Sequence, residues 1–116
     1  MKVAFTVPGP LVSANRASRV VNNRAVKSAE KRRDEARVAS LALAARVQQD
    51  WKQPAYSSMT SLAIGSRLDC DNIAKVIGDG IQGVLIANDR TVRRVLVAKM
   101  DGKPERYEVS LEEMER

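Results

Sequence analysis

The 116-residue chain predicts an α+β fold: a single small domain ordered strand, helix, strand, helix, strand, strand, with a mixed sheet and two helices. Three observations carry this expectation. Apolar residues alternate with period two in short runs near both ends, they recur at helical spacing in two longer stretches between, and no internal repeat or low-complexity linker divides the chain. A chain of 116 residues closes one core and has no room for a second catalytic lobe, so function sits on one sheet-and-helix unit or across a dimer.

Each element follows from its residues. Lys2 to Val7 alternates, with Val3, Phe5 and Val7 on one side and Lys2, Ala4 and Thr6 on the other, and Pro8-Gly9-Pro10 ends this first strand. Residues 11–27, rich in Asn, Ser and Arg and without a clean period, read as a loop. Ser28 is placed as an N-cap with Glu30 in the first turn, opening a long helix from Ala29 to about Trp51 whose apolar stripe is Val38, Leu41, Ala42 and Ala45. Gln53-Pro54 breaks that helix, since proline cannot continue it. Tyr56 to Ile64 is the second strand and hands Gly65-Ser66-Arg67-Leu68 to the acidic segment beyond it. Ile73, Val76, Ile77, Ile81 and Val84 predict a second helix from about Asn72 to Gln82, capped at its C-terminus by Gly83. After an Asn88-Asp89 turn, strands over Thr91 to Met100 and Glu105 to Leu111 are joined as a hairpin by Asp101-Gly102-Lys103-Pro104, and the acidic tail from Glu112 is expected to fray. One Trp, two Tyr and one Phe leave the core to Val, Leu, Ile and Ala, which dimerisation would help to bury. Trp51 and Tyr56 are assigned to the core or an interface.

Composition narrows the chemistry. Lys and Arg number 20 against 14 Asp and Glu, a net charge of +6 that points to a polyanionic partner, nucleic acid ahead of an anionic membrane. No stretch approaches the roughly 18 consecutive apolar residues of a membrane span. The N-terminus also lacks a signal-peptide pattern, so a soluble, cytoplasmic protein with no membrane partner is expected. Cys70 is the single cysteine; it excludes an intrachain disulfide, fits a reducing compartment and reads as a small filler residue. Histidine is absent, which removes the usual general base, the Ser-His-Asp and Cys-His systems and nearly all catalytic zinc sites. Carboxylates, lysine and a metal-bound water are what remains for chemistry near neutral pH.

Those groups are concentrated between Asp69 and Asp89. Asp69 and Asp71, two apart in an extended segment, leave on the same side with Cα atoms roughly 6.5 Å apart, and such carboxylates repel unless a cation sits between them. Asp71, Lys75 and Asp79 follow at i, i+4 positions opposite the apolar face of the second helix. That stripe alone is also the pattern of a solvated ion-pair ladder. Asp69 at a strand end and Asp89 beyond the helix are acids the ladder does not require. Three converging acids offer the oxygen-rich coordination that Mg²⁺ prefers, with open positions for water and a phosphate. Lys75 would then offset charge on the pentavalent phosphorus or orient the attacking water. Two other motifs fail. Gly78 to Gly83 spells G-x-G-x-x-G, but within a helix and at its end, so Gly80 is assigned to close packing instead of a dinucleotide site. A calcium loop starting at Asp69 would need ligands where Ile73 and Gly80 stand.

The run Arg67-Leu68-Asp69-Cys70-Asp71-Asn72-Ile73-Ala74-Lys75, then Asp79, Gly83 and Asn88-Asp89 before Val92, resembles the RusA-type endodeoxyribonucleases, Holliday junction resolvases common in phages and prophages. Pro8-Gly9-Pro10 and Ser13-Ala14-Asn15-Arg16 resemble that family's opening more loosely. The resemblance implies an intertwined homodimer that binds a four-way DNA junction and nicks two opposed strands with Mg²⁺ or Mn²⁺, without a small-molecule cofactor. By position it makes Asp69, Asp71 and Asp89 the metal-binding carboxylates and Lys75 the catalytic lysine. Asn88 stands where the family often has an acid.

Arg16, Arg19, Arg24, Lys27, Lys31, Arg32, Arg33 and Arg37, set against Glu30, Asp34 and Glu35, suit phosphate contacts that position a protein without reading sequence. Arg67 would hold the scissile phosphate, and Arg90, Arg93 and Arg94 would extend the surface. Two rivals stand beside the nuclease: a non-catalytic nucleic-acid-binding module with a structural acidic stripe, and a protein-interaction domain that pairs through its long helix.

Overall fold

Alternating side chains build the sheet and helical stripes cover one face of it. The computed structural model describes residues 1–11, 18–21, 24–27 and 29–115, with 18–21 and 24–27 described by backbone alone. Its elements are β1 (Lys2–Pro8), β2 (Ser18–Val21), β3 (Arg24–Lys27), α1 (Ala29–Gln48), β4 (Ser57–Ile64), α2 (Cys70–Ile81), β5 (Val92–Met100) and β6 (Arg106–Glu113). This is the expected α+β succession, with the short β2–β3 pair added before the first helix.

The four long strands lie in the order β1-β6-β4-β5. β6 is antiparallel to both β1 and β4, and β5 is parallel to β4. One pleat face presents Val3, Val7, Met59, Ala63, Tyr107, Val109 and Leu111, all buried. These pack against Val38, Ala42 and Ala45 of α1 and Ile73, Val76, Ile77 and Ile81 of α2 in one core. Trp51 joins that core, 2% exposed, and its indole N–H donates to Leu85 O at 2.9 Å, which ties the exit of α1 to the segment after α2. The helices approach closely where α2 carries Gly80: a Cβ there would lie 2.6 Å from Val38 Cγ1. Close packing is therefore the role of this glycine, as the sequence implied.

Several local expectations are corrected. Residues 11–27 are not all loop, because β2 pairs antiparallel with β3 from Ser18↔Lys27 to Val21↔Arg24; strands of four residues are too short for a period to register. Ser28, assigned as a cap, lies outside the described residues. α1 stops at Gln48, before Pro54 acts. Asp50 takes a left-handed φ of 53°, and the Trp51 amide donates back to Arg46 O at 3.0 Å, a Schellman-type ending. Gly83 is not a helix cap. With Gln82 at φ −61° and ψ 134°, Gly83 at φ 80° and the Val84 amide donating to Ile81 O at 3.1 Å, it occupies the third position of a type II turn. α2 begins at Cys70, two residues earlier than expected, because Asp69 caps it. Cys70 itself is exposed and is no filler.

The largest correction concerns the last two strands, which do not form a hairpin: β4 lies between them. In that slot β6 is hydrogen-bonded along both edges and buries Tyr107, Val109 and Leu111, whereas beside β5 it would be an edge strand. The connection from β5 passes the end of β4, where the Gly65 amide donates to Met100 O at 2.8 Å. Nor does the tail fray at Glu112. β6 continues through Glu113, and the Met114 amide donates to Tyr56 O at 2.9 Å.

Candidate active site

The acidic segment is delivered by a polar relay beneath it. Leu68 donates its amide to Ser66 Oγ at 3.1 Å, Ser66 Oγ is 2.7 Å from Tyr107 Oη, and Tyr107 donates to Glu105 at 2.8 Å. This relay anchors the turn from β4 into α2. Burial pushes the Tyr107 hydroxyl up to about 12, with the Glu105 carboxylate adding to the shift and the Ser66 hydrogen bond opposing it. Asp69 then ends the turn in extended conformation and accepts the Asn72 amide at 2.9 Å through Oδ1, so one carboxylate oxygen starts the helix.

α2 carries its apolar residues inward and leaves Asp71 and Lys75 exposed, with Gly78 and Asp79 half-buried, on the opposite face. Beyond the type II turn, buried Leu85 and Ile86 bring the chain back beside that face. Asn88 accepts the Arg90 amide through Oδ1 at 3.0 Å and, through its carbonyl, the Thr91 hydroxyl at 2.7 Å. Asp89 is thereby set as the first residue of a 3-10 turn, Asp89–Thr91. The capping role of Asn88 is legible in its type alone, since Asn is a favoured cap.

Asp71, Lys75, Asp79 and Asp89 line one hollow of ≈ 320 Å³, with Met59, Ile86, Val92 and Val95 as its apolar lining. Asp69 is not among the lining residues and stands at the head of α2. Among the described residues no three metal-ligating side chains converge into a cluster. The donors that do share the hollow are hard carboxylate oxygens, and Mg²⁺ takes one or two carboxylates while keeping several waters. Asp71 and Asp89 fit that requirement. Asp69 has a second oxygen that makes no hydrogen bond among the described residues.

The ion-pair ladder does not form. Asp79 pairs with Lys31 at 2.9 Å, and Lys75 makes no ion pair among the described residues. Lys31, expected among the DNA contacts, is 6% exposed and sits between Asp79 and Glu35, whose Oε1 is 3.8 Å away. Its burial was readable, because stepping back from Ala42 and Val38 at helical spacing reaches Asp34 and then Lys31. Arg37 is half-buried, donating to Pro10 O at 2.7 Å with Asp34 at 3.6 Å. Arg67 and Arg90 are exposed beside the hollow's acids in the chain, and Arg93 stacks 3.9 Å from the Tyr56 ring centroid. Arg16 lies outside the described residues, and Arg19 and Lys27 are placed only as positions on β2 and β3. Among the described residues no helix is long and apolar enough to cross a membrane.

The family described as Endodeoxyribonuclease RusA matches residues 7–112. No curated protein matches the chain. Among solved structures, CetZ from Methanosaeta thermophila is similar at 17% identity and a TM-score of 0.44, covering 100% of this chain and 26% of that one. So distant a likeness carries no argument.

Proposed function

The chain belongs to the RusA endodeoxyribonuclease family, and on that premise we propose that it resolves four-way or similar branched DNA by Mg²⁺-assisted phosphodiester hydrolysis as a homodimer. Mn²⁺ serves the same donors. The observation that carries the reading is the content of one hollow: Asp71 and Asp89 with a Lys75 that makes no ion pair among the described residues, in a chain without histidine.

Asp71 and Asp89 would hold the ion, while Asp69, outside the hollow, keeps the cap that begins α2 and so places Asp71. Bound there, Mg²⁺ supplies Lewis-acid stabilisation of the phosphate and an acidified water. Lys75 offers its ammonium to the charge that grows on the phosphoryl oxygens. Asn88 holds Asp89 in place through the cap on the 3-10 turn. Arg67 and Arg90 take flanking phosphates, and Arg16, Arg19 and Lys27 extend the contact along the DNA backbone. A second copy as partner is supported by β5, an edge strand that leaves Val95 49%, Leu96 54% and Met100 56% exposed.

One observation favours a second reading, a non-catalytic DNA-binding module: among the described residues no three acids converge. A synthetic four-way junction incubated with and without Mg²⁺ separates the two. Paired nicking that needs the metal is expected, and Asp71→Asn should abolish it while leaving junction binding intact. Binding without any nicking selects the module, and nicking that survives Asp71→Asn refutes the site.

A further inference from the structure

Lys31 does not behave as a basic residue on a charged helix. It lies on the core-facing stripe of α1, and its ammonium is 2.9 Å from Asp79 Oδ2 and 3.8 Å from Glu35 Oε1. Asp79 belongs to the same face of α2 as Lys75, one turn on, where a lysine and an aspartate ordinarily meet. Two lysines therefore compete for one carboxylate. Lys31 is 6% exposed and Lys75 is exposed, and attraction is stronger in the drier setting, so the buried lysine holds Asp79. The contest is also fixed mechanically. One residue beyond Asp79, Gly80 lies against Val38, so closely that a Cβ there would be 2.6 Å from Val38 Cγ1, and this contact brings α1, with Lys31, up to the Asp79 turn of α2.

We propose that Lys31 is a positioning residue of the nuclease site: by sequestering Asp79 it keeps Lys75 unpaired, and so available to the scissile phosphate. The inference rests on the nuclease reading above. It assigns Lys31 no contact with DNA, and it makes Asp79 a group to be held out of the reaction instead of a ligand.

The test uses the full chain carrying Lys31→Met, Lys31→Arg, or Lys31→Met with Asp79→Asn. Lys31→Met is expected to lower kcat for junction nicking about tenfold to a hundredfold, the range seen when a supporting partner is lost, with junction affinity unchanged. Lys31→Arg and the double variant should both recover most of the rate, because in each Asp79 no longer engages Lys75. A folded double variant no faster than Lys31→Met overturns the proposal, since with Asp79 neutral Lys75 has no carboxylate on α2 to engage it; a merely structural pair would also recover in the double variant, and the position of Asp79 in folded Lys31→Met separates the two. If Lys31→Met alone fails to fold, the double variant decides: it should cut within about tenfold of wild type, and a loss beyond about a hundredfold overturns the proposal. A crystal structure of folded Lys31→Met gives a readout independent of activity. Asp79 is expected within ion-pair distance of Lys75, about 4 Å; an Asp79 that stays away from Lys75 refutes the proposal. An inactive wild-type protein refutes the nuclease reading alone, and the crystal structure still tests the pairing.

Discussion

Tyr107 shows how a residue outside the hollow supports the turn that leads into the site. It is fully buried, and its hydroxyl completes the relay from Leu68 and Ser66 to Glu105. Burial raises its pKa from 10.0 to about 12. The folded value lies above the unfolded one, so the associated stability is fully present below pH 10 and is lost as pH rises toward 12. Denaturant melts should therefore show wild type losing stability more steeply than Tyr107→Phe over that window, and ultraviolet absorbance should report tyrosinate appearing late. Equal slopes would remove the relay from the account. The same scale explains why helical spacing pairs Asp79 with Lys75 while the structure pairs it with Lys31. Lysine is a surface residue by type, and only the position of its stripe against α2 reveals a buried partner.

At the scale of elements, α2 has two faces with opposite demands. Its inner face needs a glycine at Gly80, where any Cβ meets Val38, while Gly78 has nothing within 4 Å of where a Cβ would sit. Gly80→Ala should destabilise by roughly 1–3 kcal/mol despite the helix propensity it adds. Gly78→Ala should stabilise by up to about 1 kcal/mol through propensity alone. Paired thermal or denaturant melts check both signs. The ends of α2 were partly legible. Asp69 and Gly83 stood out by type, but the structure gives Asp69 the cap that begins the helix and Gly83 a type II turn that follows it. Asx residues and glycines mark that a boundary exists; hydrogen bonding to neighbouring backbone decides which kind.

At the scale of the whole molecule, charge is divided between groups that face solvent and groups spent internally. Lys31 is held by Asp79 and Glu35, and Arg37 by Pro10 O and Asp34, so neither is expected to count toward DNA affinity. Junction affinity should fall with salt at a log-log slope of roughly 0.9 per phosphate neutralised. Arg67→Ala and Arg90→Ala should each lower that slope by about one unit and Lys31→Arg should not. Fluorescence anisotropy titrations across salt concentrations measure it, and a slope that changes with Lys31 and not with the exposed arginines would invert the assignment. The dimer is tested at the same scale: sedimentation should show two copies, and Leu96→Lys on the exposed edge should weaken the association.

The amino-acid sequence by itself determined the α+β class, the order of the principal elements, the family resemblance and the concentration of acids around Lys75. Each is written in local terms, as period, residue type and spacing. Tertiary structure decided what those terms cannot encode. It placed β4 between β5 and β6, because a central slot satisfies both edges of β6 and a hairpin would satisfy one. It brought Asp71 and Asp89 to one hollow while leaving Asp69 at the head of α2, because the path of the chain after the type II turn is set by burial of Leu85 and Ile86. And it chose Lys31 over Lys75 as the partner of Asp79, because the strength of an ion pair depends on how dry its surroundings are, and those surroundings exist only once α1 and α2 have packed.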